Sequence, residues 1–354
     1  MTRPAVLSSL RAYRLCVLLC LAGTLPAAAL TVPQGDLRRD TPADYAPQSN
    51  PGKTHNEFWT WQFSLNDGIQ AQLNLSRVHF GKFKDPVCGA DLAVMGPGGR
   101  SEFVAREYAL SNFKWEPSAG RLAVHANIFA EGLPPREHRV FFATTKGGKD
   151  YFLDLTFERM TPGVVWGDGL FRLGGGESVA LFLHIPRARV KGRLGIGKDT
   201  IDVRGFGWMD HSRQSQFGTR FMDAGYRYVV TEGRTEGGYF FTEGNTVFGY
   251  GVREENGGLV LVRPSSIGAP ERTTWGGVSV PKRLEIGVAS GAPVRFTRLA
   301  DRQRTSVLQE LGKLERYGAR MFLGGELLGY RGTGSVDGGD ATYPAVYSFT
   351  MVKR

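Results

Sequence analysis

Cysteine is nearly missing from this chain of 354 residues: only Cys16, Cys20 and Cys88 are present. The first two fall in a stretch that reads as a signal peptide. Arg3, Arg11 and Arg14 precede an apolar run over 15–25, and Ala27-Ala28-Ala29 forms a small-residue cleavage site. A mature chain starting at residue 30 keeps Cys88 alone, which excludes an intramolecular disulfide and leaves stability to a hydrophobic core. Cys88 itself reads as a small buried hydrophobe. The leader's apolar run is shorter than the about 20 residues of a spanning helix. It has no Arg-Arg pair, and Leu19 before Cys20 argues against a lipoprotein site. The expectation is an exported protein, periplasmic or secreted.

Familiar catalytic signatures are missing too. There is no G-x-S-x-G elbow and no phosphate loop. None of the six histidines stands at a spacing that marks zinc; Asp210 and His211 are adjacent and point apart on a strand. No metal and no other cofactor is therefore expected. The chain carries a formal charge of +10, falling to +7 without residues 1–29. It lacks a recognisable nucleic-acid motif, so no nucleic acid is expected as a partner. The excess is scattered, with clusters at Arg187, Arg189, Lys191, Arg193 and at Arg295, Arg298, Arg302, Arg304. Such an excess reads as a solvated surface or as peripheral contact with an anionic membrane.

What is abundant is glycine, 48 residues, between short alternating apolar and polar runs. Residues 58–65 and 69–75 flank Asn66-Asp67-Gly68 and predict a β-hairpin. Further hairpins are expected across 117–120 and 146–149. Strands are expected over 178–184, 199–206, 226–231, 238–242, 246–250, 259–262, 284–288, 294–299 and 343–352. Only 305–317 has helical spacing, through Val307, Leu308, Leu311 and Leu314. The fold class is all-β: two antiparallel β-barrels or sandwiches with one short helix. The chain divides into a signal peptide (1–29), an irregular proline-bearing lead-in (30–54) and two β-domains (55–213 and 214–354).

The segment that concentrates chemistry is Gly205-Phe206-Gly207-Trp208-Met209-Asp210-His211-Ser212-Arg213. Along a strand Trp208, Asp210 and Ser212 share one face, and Met209, His211 and Arg213 the other. A carboxyl group buried beside Trp208 would have its pKa raised and could deliver a proton. The plainer alternative is a core Trp208 with a polar knot at a strand end. Trp59 and Trp61 share a face of their strand, as core stack or cavity wall, and an aromatic-lined cavity suits a hydrophobic ligand. Glu326 is a lone carboxylate in an apolar stretch, either facing a cavity or at its rim.

The Gly207-Trp208-Met209-Asp210-His211 segment resembles the G-x-x-W-x-D-H/R motif of AttH/CrtC-like proteins, a family that includes carotenoid 1,2-hydratases. Ser212 and Arg213 stand where the family usually continues with an acidic residue and Trp. The resemblance implies two lipocalin-like barrels with an apolar cavity near their junction. It also implies acid-type hydration, cyclisation or isomerisation of a terpenoid- or carotenoid-like lipid. Asp210 would be the proton donor, with His211 holding it, and Trp208, Trp59, Trp61, Arg213 and Glu326 would line the ligand. A non-catalytic lipid carrier is the alternative, and a glycan-binding sandwich a third reading.

Overall fold

The computed structural model describes residues 30–48, 54–81, 85–96, 100–306, 308 and 319–354; the expected signal peptide lies outside them. A first antiparallel sheet begins with β1 (Leu37–Arg39), β2 (Thr54–Leu65), β3 (Gln70–Phe80), β4 (Val87–Met95) and β5 (Ser101–Ala109). It continues with β6 (Lys114–Glu116), β7 (Arg121–His125), β8 (Ile128–Glu131), β9 (Arg139–Lys146) and β10 (Lys149–Glu158). Completing it are β11 (Val164–Trp166), β12 (Leu170–Arg172), β13 (Ser178–Ile196) and β14 (Asp199–Gln214). The second sheet holds β15 (Ala224–Val230), β16 (Glu236–Glu243), β17 (Thr246–Glu255), β18 (Gly258–Val262) and β19 (Pro264–Trp275). Its remaining strands are β20 (Val278–Val288), β21 (Val294–Ser306), β22 (Glu326–Asp337) and β23 (Thr342–Lys353).

The first sheet is ordered β5-β4-β3-β2-β14-β13-β10-β9-β8-β7-β6, the second β18-β17-β16-β15-β23-β22-β21-β20-β19. Each curls so that its inner side chains converge on one core. In the first, Trp59, Trp61, Phe63, Leu73, Leu92, Leu122, Phe142, Leu153 and Met209 meet. In the second, Tyr228, Phe240, Leu284, Phe296, Tyr330 and Phe349 meet. The architecture is all-β, two lipocalin-like barrels.

Local sequence explains the central layer. Asp67 and Gly68 take positive φ (58° and 69°) and turn β2 into β3, pairing Ser64 with Gln70. On β2 the inward face is His55, Glu57, Trp59, Trp61 and Phe63. The opposite face is polar yet buried, Gln62 being 5% exposed, because the second barrel covers it; Arg331 Nε donates to Gln72 Oε1 at 3.1 Å across that contact. A third apolar cluster glues the barrels together, joining Trp166, Phe171, Leu181 and Trp208 to Phe241, Phe248 and Tyr250.

Within the lead-in two short elements stand: β1 pairs with β11, and Pro42–Tyr45 forms a helical turn, α1. Thr41 and Asp44 cap it reciprocally, and Arg38 grips Asp44 through two 2.8 Å bonds. What orders these two pieces is contact with the barrel. The helix expected over 305–317 is a strand at Thr305 and Ser306, and nearly all the rest lies outside the described residues. Helical residues are described at Gly218–Phe221 (α2) and at 319–323.

Candidate active site

β14 lies between β2 and β13, so its two faces see two different environments. Met209 belongs to the first barrel's core, whereas Trp208 belongs to the cluster between barrels. The structure therefore separates Asp210 from His211.

Asp210 lies with Trp208 at the barrel junction, 2% exposed. Trp208 Nε1 donates to Oδ2 at 3.1 Å and Arg227 Nη2 donates to Oδ1 at 2.8 Å. Burial pushes its pKa up, opposed by the Arg227 charge and both hydrogen bonds. Arg227 in turn lies 4.2 Å from the Tyr239 ring centre. With both oxygens occupied, Asp210 ties the barrels together. Two hollows at the junction, beside Trp208 and beside Arg331, measure about 10 Å³ each, room for no more than a water. Aromatic side chains fill the space.

His211 points into the first barrel and stacks on Trp59, ring centres 4.6 Å apart at 15°. Both its nitrogens face acceptors: Nδ1 is 3.0 Å from the Asp44 carbonyl and Nε2 is 3.0 Å from Glu57 Oε1. Only an imidazolium, or a protonated Glu57, satisfies both. Glu57 also accepts from the Gln48 N–H at 2.8 Å and from Arg77 at 3.1 Å, with His55 at 3.4 Å. Burial raises the Glu57 pKa, but the hydrogen bonds from His211 and His55 outweigh it and hold it at about 2. The geometry places a proton between His211 Nε2 and Glu57, and burial outweighs the pull of Glu57 and leaves the His211 pKa below its ordinary value. A buried imidazolium of that kind is a willing acid.

Beside it lies His184, at a break in the ladder. Leu183 pairs with Asp210, Ile185 with Met209, and Ala188 with Gly207, so β13 bulges at His184 and again at Pro186, which has no N–H to give. His184 Nδ1 is 2.8 Å from Asp40 Oδ2, and Nε2 has no hydrogen-bond partner among the described residues although the side chain is fully buried. An imidazole oriented by a carboxylate, its second nitrogen bare, is the arrangement of a general base. The His184 and His211 ring centres are 5.7 Å apart. Tyr45 of α1 packs against His184 at 5.2 Å, and its hydroxyl too has no described partner.

Among the other residues singled out from sequence, Trp61 Nε1 donates to His138 Nε2 at 2.8 Å, and His138 Nδ1 is 2.8 Å from the Gly132 carbonyl. Burial drives the His138 pKa down to about 4, so that ring is neutral. Trp59 Nε1 donates to the Tyr45 carbonyl at 3.1 Å. Arg213 is paired in register with Glu57, at the edge of the cluster. Glu326 lies apart, on β22 of the second barrel, bonded to Ser306 and 3.7 Å from Arg320. The cluster thus unites Trp59, Trp61 and His211, and leaves out Trp208, Asp210 and Glu326.

The sequence reading did not single out Glu57, His184, Asp40 and Tyr45. Glu57 had a signal, as a charge in phase with Trp59 and Trp61. Tyr45 is the one aromatic residue of 30–53. His184 sits in the apolar run Phe182-Leu183-His184-Ile185, where a satisfied core histidine is the default. Among the described residues no three His, Cys, Asp or Glu side chains gather as metal ligands.

No protein-family model and no curated sequence matches the chain. Solved structures do match in shape. An AttH protein from Nitrosomonas europaea superposes with a TM-score of 0.65 at 15% identity, over 92% of this chain and 100% of the other. Kievitone hydratase from Nectria haematococca gives 0.54 at 10% identity, over 84% and 88%. CghA, solved with Sch210972, gives 0.56 at 13% identity, over 92% and 98%. The fold implied by the motif, the double lipocalin of AttH/CrtC-like proteins, is the fold of this chain.

Proposed function

We propose that the chain is a cofactor-independent enzyme that hydrates, cyclises or isomerises an apolar small molecule of the terpenoid or carotenoid kind by proton transfer. One observation carries the reading: a buried His184, oriented by Asp40 and bare at Nε2, stands beside a His211 that shares a proton with Glu57. In a hydration, the alkene displaces Glu57 from His211 Nε2 and takes the proton that the two share, and the Glu57 carboxylate stabilises the cation that forms. Water then bonds to the cationic carbon while His184 Nε2 removes its proton. One proton has left His211 and one has arrived at His184, and exchange between them resets the site. The likeness of shape to a hydratase supports this reading. In this scheme the proton-donor role moves from Asp210 to His211.

The test is turnover of a panel of terpenoid alkenes in deuterated water, read as deuterium in the product. His184→Ala should lower the rate by about 10²–10⁴-fold with the fold intact; an unchanged rate would sink the assignment. A carrier is the second reading, favoured by an apolar hollow of about 290 Å³ at the far mouth of the first barrel. Ile69, Val94, Leu194, Ile196 and Ile201 line it. A lipid that copurifies and is lost in Leu194→Lys, while His184→Ala retains it, would favour that reading. Export is proposed from residues 1–29, and N-terminal sequencing should find Leu30 first.

A further inference from the structure

The reaction site of the preceding reading is stoppered by the chain's own lead-in. Tyr45 is 2% exposed, and its ring stands among aromatic walls: Trp115 at 5.8 Å, His184 at 5.2 Å and His138 at 6.1 Å, the last edge-on at 84°. What holds the segment down is largely the catalytic cluster itself. Asp40 bonds His184, the Asp44 carbonyl bonds His211, and the Tyr45 carbonyl bonds Trp59. Beyond these lie the three-residue pairing of β1 with β11 and the Gln48 N–H on Glu57. Yet the fit is incomplete, since neither the Tyr45 hydroxyl nor His184 Nε2 has a described partner. The carbonyl bond to Trp59 fixes Tyr45 where its oxygen meets no acceptor.

We infer that Tyr45 is a pseudo-substrate: the slot its ring fills receives a planar phenol-type ring of the substrate, whose hydroxyl, in place of the water of a hydration, donates to His184 Nε2. Rings on three sides, tilted by 44°, 64° and 84° from the Tyr45 plane, meet an aromatic guest in edge-to-face contacts that an alkyl chain does not make. A bare buried acceptor selects a hydroxyl donor over a plain arene. A free ring, unlike Tyr45, can shift until that bond forms. This rests on the barrel interior being the reaction site, but binding tests it without turnover, so the two can fail separately.

The probes are p-cresol, toluene and 4-methylcyclohexanol, titrated into the full mature chain by calorimetry, with hydrogen exchange followed over 37–46. The wild type should bind p-cresol about tenfold tighter than either comparison compound, with faster exchange over 37–46. His184→Phe should erase the preference over toluene, and Tyr45→Ala should tighten p-cresol binding about tenfold. Binding of p-cresol to Tyr45→Ala alone, with none to the wild type, would mean an engineered cavity and overturn the proposal. So would equal affinity for all three probes in the wild type, a result that needs no variant to fold.

Discussion

At the residue scale, neighbours in sequence serve different ends. Asp210 and His211 are consecutive, yet one bonds Arg227 across the junction and the other bonds Glu57 inside the barrel. Asp210→Ala leaves the Arg227 guanidinium buried without its anion, which should cost about 3–5 kcal/mol. Asp210→Leu combined with Arg227→Met should restore most of that loss in urea titrations. The buried rings and Glu57 also make the protein acid-sensitive. His138 falls from 6.5 to about 4 on folding and Glu57 from 4.5 to about 2. Both folded pKa values are depressed, so the unfolded chain binds more protons and stability falls as pH falls. The His138 share should disappear between about pH 6.5 and 4, the Glu57 share between about pH 4.5 and 2, each on the order of 3 kcal/mol. A urea midpoint that does not move between pH 7 and pH 5 would contradict the His138 part. His138→Gln should reduce the slope in that upper window without abolishing it, because burial also lowers the pKa of His211 and His79.

At the scale of elements, a loop, a bulge and a lead-in together build the base. Asp40 reaches His184 from the end of β1, held by its N–H to the Gly163 carbonyl at 3.1 Å. A Cβ at Gly163 would stand 2.2 Å from Asp40 Oδ2. Gly163→Ala should therefore swing Asp40 off His184 and lower turnover by about 10²-fold, with little change in the urea midpoint. Equal loss of stability and turnover would mark Gly163 as merely structural. β13 contributes through irregularity: its two bulges together insert two residues against β14, so His184 keeps the inward face of Phe182 and Ala188 while Ile185 beside it also turns inward.

At the scale of the whole molecule, the second barrel acts as a wall. It buries the polar outer face of β2 and β3, caps Trp208, and closes on Asp210 through Arg227. With so continuous a junction, both barrels should unfold in one transition, tryptophan fluorescence and calorimetry coinciding. Arg227→Ala should separate the two curves if the ion pair couples the barrels; coincident curves in that variant would assign the coupling to the apolar cluster alone.

The sequence by itself determined the all-β class, most strand positions and the hairpin at Asp67-Gly68, because alternation and turn chemistry are local and survive in one dimension. It also marked β14 as central, and the inward phase of Trp59, Trp61 and His211 follows from a period of two. Partnership was decided only by tertiary structure. Which carboxylate meets His211 depends on register between β14 and β2, residues more than 150 positions apart. Asp40 and Tyr45 come from a segment with no strong local preference, ordered by the barrel it closes. Asp210 acquired its guanidinium from the other barrel, a contact that no pattern within either segment encodes.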